Sequence, residues 1–385
     1  MTRARIKLAA QLTPKRVTIR VDQKMPERLS PFSRGLLVPH GISIEKVTAW
    51  RGYSVEWHDG SSVILARRNR LYSVEKIGGN PTFIGEVPFS PVERTLSFTR
   101  LGQRFLRTMF YNVLPLGNGR WFATFARRIG VLSPDGWTEV RLPRPSRVLR
   151  GGAAIAPDGS IWFGEYWDNA KRRSMSLYRW ERGSASAEVA YEFDRGSIYH
   201  IHSVSWDPYR NSLICLTGDR DGECRMLISP DGFRTVDVIG AGSEDWRAVS
   251  IVSVPDGWLY GTDAEFQTNV IAHVEAASGS RRVLDRVDGP VYYSRAWGAG
   301  ALFAVTAERC AIVPEPQAVL LRIAQDSVRP LARFKKDIND SILAWKLFLP
   351  GTLNFASGPG AVGHCFVSGV ALRDLDEQVL VLRPS

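Results

Sequence analysis

Apolar residues in this chain come in short runs of about four to eight, rich in aromatic and β-branched types, broken by polar turns of Gly, Asp and Pro. No sustained helical periodicity interrupts them, so an all-β fold is expected. Gly151-Gly-Ala-Ala-Ile-Ala-Pro-Asp-Gly-Ser-Ile-Trp-Phe-Gly-Glu165 and Val249-Ser-Ile-Val-Ser-Val-Pro-Asp-Gly-Trp-Leu-Tyr-Gly-Thr-Asp263 both place Pro-Asp-Gly between two such runs. Proline presets φ for a turn, and Asp-Gly tolerates positive φ, so each stretch predicts a hairpin. His202 to Asp219 repeats the layout with a longer turn, and Val291 to Glu308 and Phe110 to Arg127 repeat it again. Third strands follow at Met175–Trp180 and Cys224–Ser229, and a fourth at Thr235–Ile239.

The repeat length is roughly 45–50 residues, as in four-stranded propeller blades. Seven units begin near residues 45, 105, 148, 199, 245, 288 and 342. The expected fold is therefore a seven-bladed β-propeller with four-stranded antiparallel blades over residues 45–385. Residues 1–44 are expected as an N-terminal arm that lends a strand to close the ring. The length of 385 residues would suggest two domains, but a repeat fold escapes that prior, and no linker is visible.

Composition narrows the picture further. The net charge is +11 and the pI about 9.7, which favours anionic partners, although the basic clusters at Arg67–Arg70 and Lys171–Arg173 are short. No specific nucleic-acid partner and no membrane insertion are expected. Cys215, Cys224, Cys310 and Cys365 have neither metal nor disulfide spacing and read as reduced thiols. The stretch Ile6–Leu12 is broken by Lys7 and Gln11 and does not read as a signal peptide. Together these predict a cytoplasmic protein. No nucleophile elbow, phosphate loop or zinc signature is present.

Ser229-Pro-Asp-Gly-Phe-Arg-Thr235 and Ser133-Pro-Asp-Gly-Trp-Thr138 resemble shortened Asp-box turns. With His200-Ile-His-Ser-Val-Ser-Trp-Asp-Pro-Tyr209, Thr217-Gly-Asp-Arg-Asp-Gly-Glu-Cys224 and Gly242-Ser-Glu-Asp-Trp-Arg-Ala-Val249, they resemble bacterial sialidase-like repeat proteins associated with polysaccharide metabolism. The resemblance covers roughly residues 150–270 and implies a carbohydrate link without a defined reaction. The sialidase pattern needs three arginines on a carboxylate and a Tyr–Glu pair. Arg150, Arg247 and Arg295, with Tyr292 or Tyr293 and Glu165, are offered for those roles by position, not by motif.

Alignment of the blades on their turns predicts a functional face. Arg150, His200, Trp246, Arg247, Tyr292 and Tyr293 open first strands, while Arg127, Glu165, Asp219, Asp263 and Glu308 follow second strands. Four consecutive blades thus offer a carboxylate at one level, next to Arg and His, as acid/base chemistry on a glycan needs. The bland alternative is a set of turn acids bonded to backbone N–H groups. His200 and His202 project to one side of a strand and suit a general base or, with a carboxylate, a divalent metal. His364 reads as core. Trp162, Trp206 and Trp258 read as core, while Trp167 and Trp246 are expected as sugar-stacking rings.

Three functions compete on this reading. The first is a glycoside hydrolase on an acidic saccharide, with Glu165, Asp219 and Asp263 dividing the proton transfers, His200 or His202 assisting, and Arg150, Arg247, Arg295 and Glu308 binding. The second is a lyase on a uronate with a His or Tyr base. The third is a non-catalytic glycan-binding propeller. All require Arg150, Glu165, His200, Asp219, Arg247 and Asp263 to line one pocket at one end of the central channel.

Overall fold

The computed structural model describes residues 41–309, 313, 316–338, 348–359 and 363–384. Seven four-stranded antiparallel sheets follow one another around a ring, each running from an innermost strand outward. Their innermost strands are Ser54–His58, Phe110–Gly117, Ala153–Ile155, His200–Asp207, Ile251–Val254, Val291–Trp297 and Thr352–Phe355. The chain is thus a seven-bladed β-propeller.

The seventh blade is composite. Its three inner strands come from Thr352–Phe355, Cys365–Val370 and Val379–Pro384, and its outermost strand is Ile42–Lys46. Ile42 pairs with Pro384 and Lys46 with Leu380. The closing strand straddles the expected boundary at residue 44.

Local chemistry explains the turns. At Pro157-Asp158-Gly159, Asp158 Oδ1 accepts from the Ser160 N–H at 2.9 Å and its hydroxyl at 2.6 Å, and Gly159 takes φ +82. In the turn after Ser229, the Ser229 hydroxyl accepts from the Phe233 N–H at 2.7 Å, and Asp231 takes the Thr235 N–H and hydroxyl, both at 2.9 Å. Each turn holds itself, so the strands on either side inherit a fixed register.

Apolar side chains pack between neighbouring blades. Phe122, Phe163, Tyr178 and Trp180 join the second and third blades, and Ile201, Val204, Leu213 and Phe233 join the third and fourth. Trp162 and Trp258 are buried in such layers and Trp206 is half-buried there, as expected. Cys215, Cys224 and Cys365 are buried and free, while Cys310 lies outside the described residues. His364 is half-buried near Arg383, away from the predicted site.

One departure from the all-strand expectation lies between the first two blades. Pro91–Leu96 and Arg100–Leu106 form two short helices, capped by Ser90 and Thr99. At six and seven residues they are too short to show helical periodicity in the sequence. Among the described residues no helix is long and apolar enough to cross a membrane.

Candidate functional site at one end of the propeller

The site is built where second strands end against the next blade. Gly218 closes the second strand of the fourth blade, opposite His200. A Cβ there would lie 2.5 Å from His202 Cε1 and 3.3 Å from Arg247 Cγ, so glycine is what lets ring and guanidinium stem approach. Asp219 follows and turns its carboxylate inward. Its Oδ2 lies 3.0 Å from His200 Nε2, and its Oδ1 lies 3.0 Å from His202 Nε2 and 3.3 Å from Arg247 Nη2. The two histidine Nε2 atoms are 3.1 Å apart. His202 Nδ1 is held at 2.8 Å by the Ala248 carbonyl of the fifth blade. A register shift in the inner strand between Ile201 and Ser203 accompanies this arrangement. Such a bulge re-aims side chains, here bringing two imidazoles onto one carboxylate.

Arg247 links this cluster to the fifth blade. Its Nη2 reaches Asp263 Oδ2 at 3.2 Å, and its Nη1 reaches Glu244 Oε1 at 3.4 Å and the Asp219 carbonyl at 3.0 Å. Burial opposes its charge, but Asp263, Asp219 and Glu244 more than offset that and raise its pKa. Burial also works against the Asp219 carboxylate, yet His200 and His202 beside it outweigh that and hold Asp219 well below the usual carboxylate range. Asp263 is pushed up to about 6 by burial, against Arg247. Glu308 is pushed up to about 8 by burial and by the Asp263 charge, and its carboxylate accepts from the Tyr292 hydroxyl. Burial lowers the His200 pKa despite Asp219. An adjoining cavity of about 700 Å³ is lined by Tyr199, Asp219, Asp221, Glu244 and Phe266 among others.

The structure therefore brings together His200, His202, Asp219, Arg247 and Asp263, with Glu308 and Tyr292 in electrostatic reach. Tyr293 lies in electrostatic reach of Asp263, Arg150 and Tyr111. Glu165 is not in the group. It is fully buried, accepting from Arg144 Nε at 3.1 Å, the Ser176 N–H at 2.9 Å and the Tyr178 hydroxyl at 2.7 Å. The cause is a one-residue offset. Glu165 and Thr262 both bond through N–H to their third strands, and both give their carbonyls to the next inner strand, at Ile201 and Val291. Glu165 is thus the counterpart of Thr262, and Tyr166 that of Asp263. In a strand, an offset of one turns a side chain to the opposite face.

Four further residues depart from the predicted pocket. Arg150 pairs with Glu56 at 2.7 Å and donates to the Phe110 carbonyl at 2.5 Å, so it ties the first three blades together. Arg295 sits near the hairpin end of its strand and donates to the Ala356 and Gly358 carbonyls, away from the strand end that carries Tyr292. Trp246 stacks on Tyr260 at 6.1 Å and 18°, and Trp167 packs in the layer between the third and fourth blades. Trp246 is also overlain by the Arg281 guanidinium at 5.7 Å, so its ring is already engaged.

Sequence reasoning missed the opposite side of the mouth. Tyr166 forms a backbone bridge with Arg147, as Asp263 bonds to the Arg247 carbonyl, so Arg147 is the third-blade counterpart of Arg247. Tyr166 packs on His200 at 4.1 Å between ring centres and lies in electrostatic reach of Asp219, Asp263, Arg107 and Glu308. Arg147 is lowered by burial, with Tyr111 opposing and Arg107 and Arg127 adding to the shift. Arg107, Arg127 and Arg147 have no carboxylate within ion-pair distance among the described residues. The signal that could have found Arg147 is its place a few residues before the inner strand Ala153–Ile155, as Arg247 stands before Ile251–Val254.

No family model matches the chain. A curated relative, the large ribosomal subunit protein uL2c of Angiopteris evecta, is 29% identical over 145 residues, 36% of this chain. The match spans less than half of that protein, 45% of its length, and shows no family. Among solved structures, YCF48 from Cyanidioschyzon merolae superposes with a TM-score of 0.52 at 12% identity, covering 88% of this chain and 98% of that one. The extracellular domain of the hybrid two component system BT4673 from B. thetaiotaomicron gives 0.52 at 12% identity, over 87% of this chain and 40% of that one. A chain of the mitotic checkpoint complex gives 0.51 at 11% identity, over 100% and 99%. At such identities the likeness shows the propeller fold alone. It does not reach the sialidase-like relation that the Asp-box turns imply.

Proposed function

We propose that this propeller is a carbohydrate-active enzyme that cleaves an acidic poly- or oligosaccharide by proton transfer between carboxyl groups at its mouth. One observation carries the reading. Arg107 and Arg127 both stand in electrostatic reach of Arg147, with no carboxylate at ion-pair distance among the described residues, and Arg107 and Arg147 reach Tyr166, while Asp263 and Glu308 stand in reach of the same tyrosine. Arginines in mutual reach with no partner repel one another unless an anion joins them, and a carboxylate or sulfate on a sugar is such an anion. Glu308, raised to about 8, holds a proton at neutral pH and suits a general acid. Asp263, raised to about 6, is mostly ionised there and suits the base. Glu308 thus takes the catalytic place that the sequence assigned to Glu165.

The test is a panel of acidic glycans incubated with the full chain, with products read by mass. On a substrate that is turned over, Glu308→Gln should lower kcat by about 10²–10⁴-fold while binding persists. Arg147→Gln should weaken binding more than it lowers kcat. If Glu308→Gln and Asp263→Asn both keep full turnover, the assignment fails. Products with an unsaturated uronate end would move the reaction to elimination. Binding without turnover would leave a lectin.

A further inference from the structure

We propose that His200, His202 and Asp219 form a binding site for one divalent first-row transition ion. The protons that these three side chains can carry point to it, whatever the propeller does with glycans. The Ala248 carbonyl can only accept, so His202 Nδ1, at 2.8 Å, carries the ring proton. In a neutral imidazole Nε2 is then a bare lone pair. That lone pair faces Asp219 Oδ1 at 3.0 Å and His200 Nε2 at 3.1 Å. His200 Nε2 in turn faces Asp219 Oδ2 at 3.0 Å. One proton on His200 Nε2 serves a single partner. It leaves His202 Nε2 and Asp219 Oδ1 lone pair against lone pair, in a place where both histidines are almost wholly buried.

The centre of the group therefore lacks one positive charge, which is either a second proton or a cation. The wider charge balance favours the cation. Asp219, Asp263 and Glu244 surround the single guanidinium of Arg247. The spacing agrees as well. Ligand atoms about 2.0–2.2 Å from an ion stand roughly 3.0–3.5 Å from each other; here the two imidazole nitrogens are 3.1 Å apart, and each stands 3.0 Å from its own oxygen of the Asp219 carboxylate. Two imidazole nitrogens with one carboxylate oxygen select zinc, iron or manganese over calcium or magnesium. The Ala248 carbonyl supplies the outer bond that fixes the tautomer of a ligating histidine. Asp219 also borders the 700 Å³ cavity, so the remaining coordination positions open toward a ligand.

The experiment uses the full chain, stripped with chelator and titrated with Zn²⁺, Mn²⁺ and Fe²⁺ in turn, the last without oxygen. Calorimetry and elemental analysis count the ions, and a thermal melt reports whether the ion stabilises the fold. The expected result is one ion per chain, a raised Tm, and loss of both in Asp219→Asn and in His200→Phe, which keeps a ring beside Tyr166. The unliganded melts of these variants show that they fold. No binding of any of the three ions overturns the site and leaves a doubly protonated His202. Binding that survives in both folded variants overturns it too.

Discussion

The buried Glu165 gives the sharpest test of the blade register. The perturbation is Glu165→Gln, which keeps shape and removes charge. In the native chain the carboxylate takes donors from Arg144, Ser176 N and the Tyr178 hydroxyl at 2.7 to 3.1 Å. The amide keeps one acceptor oxygen and presents two N–H groups, so at least one of these donors must face another donor. A buried hydrogen bond to a charged group contributes about 1.5–3 kcal/mol, and an unsatisfied donor costs about 1–3 kcal/mol. Arg144 is about one-third exposed, so water recovers part of its loss. The net expectation is a destabilisation of about 3 kcal/mol, roughly a 4 °C fall in Tm for a chain of this size. Thermal unfolding followed by circular dichroism reads the fall, and glycan binding measured beside it should stay at the wild-type value. A variant that keeps its Tm and loses binding or turnover would refute the reasoning, because Glu165 would then act at the mouth.

The other expectations follow from the same geometry. Glu308 sits near 4.5 when unfolded and about 8 when folded, so between those values only the folded state holds its proton, and stability falls as pH rises across that window. Glu308→Gln should flatten the fall, seen as a smaller Tm difference between about pH 5 and about pH 8; an unchanged difference rejects the buried acid. Arg147→Gln should weaken binding of an acidic glycan and reduce its salt dependence in calorimetry at two ionic strengths, and an unchanged salt response removes Arg147 from the anion site. Gly218→Ala should displace the His202 ring, since its Cβ would stand 2.5 Å from Cε1, and should abolish the proposed metal binding while most of the fold persists. An alanine variant that binds metal like the wild type shows that the ring has room.

The blades were legible because each hairpin carries its own turn chemistry. Pro-Asp-Gly fixes the reversal locally, and alternation along the strands needs no tertiary information. The inner strands at His200, Ile251 and Val291 begin within a few residues of the expected positions. The site was legible in the fourth blade, where His200 pairs with Gly218 and Asp219 directly follows the second strand, as the alignment on turns expects. It failed at Glu165, where one residue of offset separates the face of the third strand from the mouth. It also missed Arg107, which caps a short helix with φ 55 and whose position depends on an insertion between blades. Trp246 was misjudged because a sequence does not say which side of a blade a strand-flanking indole covers.

The composite seventh blade makes the order of synthesis matter. Glu45 and Arg383 form an ion pair at 2.8 Å across 338 positions of chain, so strand Ile42–Lys46 has no sheet of its own until its partner strand Val379–Pro384 has been made. At about 5–20 residues per second, that strand waits roughly 20–70 s after it is made. Meanwhile its unpaired edge is a template for any other strand. The ring therefore behaves as a clasp that shuts late. A nascent chain has six blades stacked in sequence, an open gap, and both faces of that gap apolar. Two such chains made close together can each receive the other's first strand, so high expression would favour exchanged dimers over closed monomers.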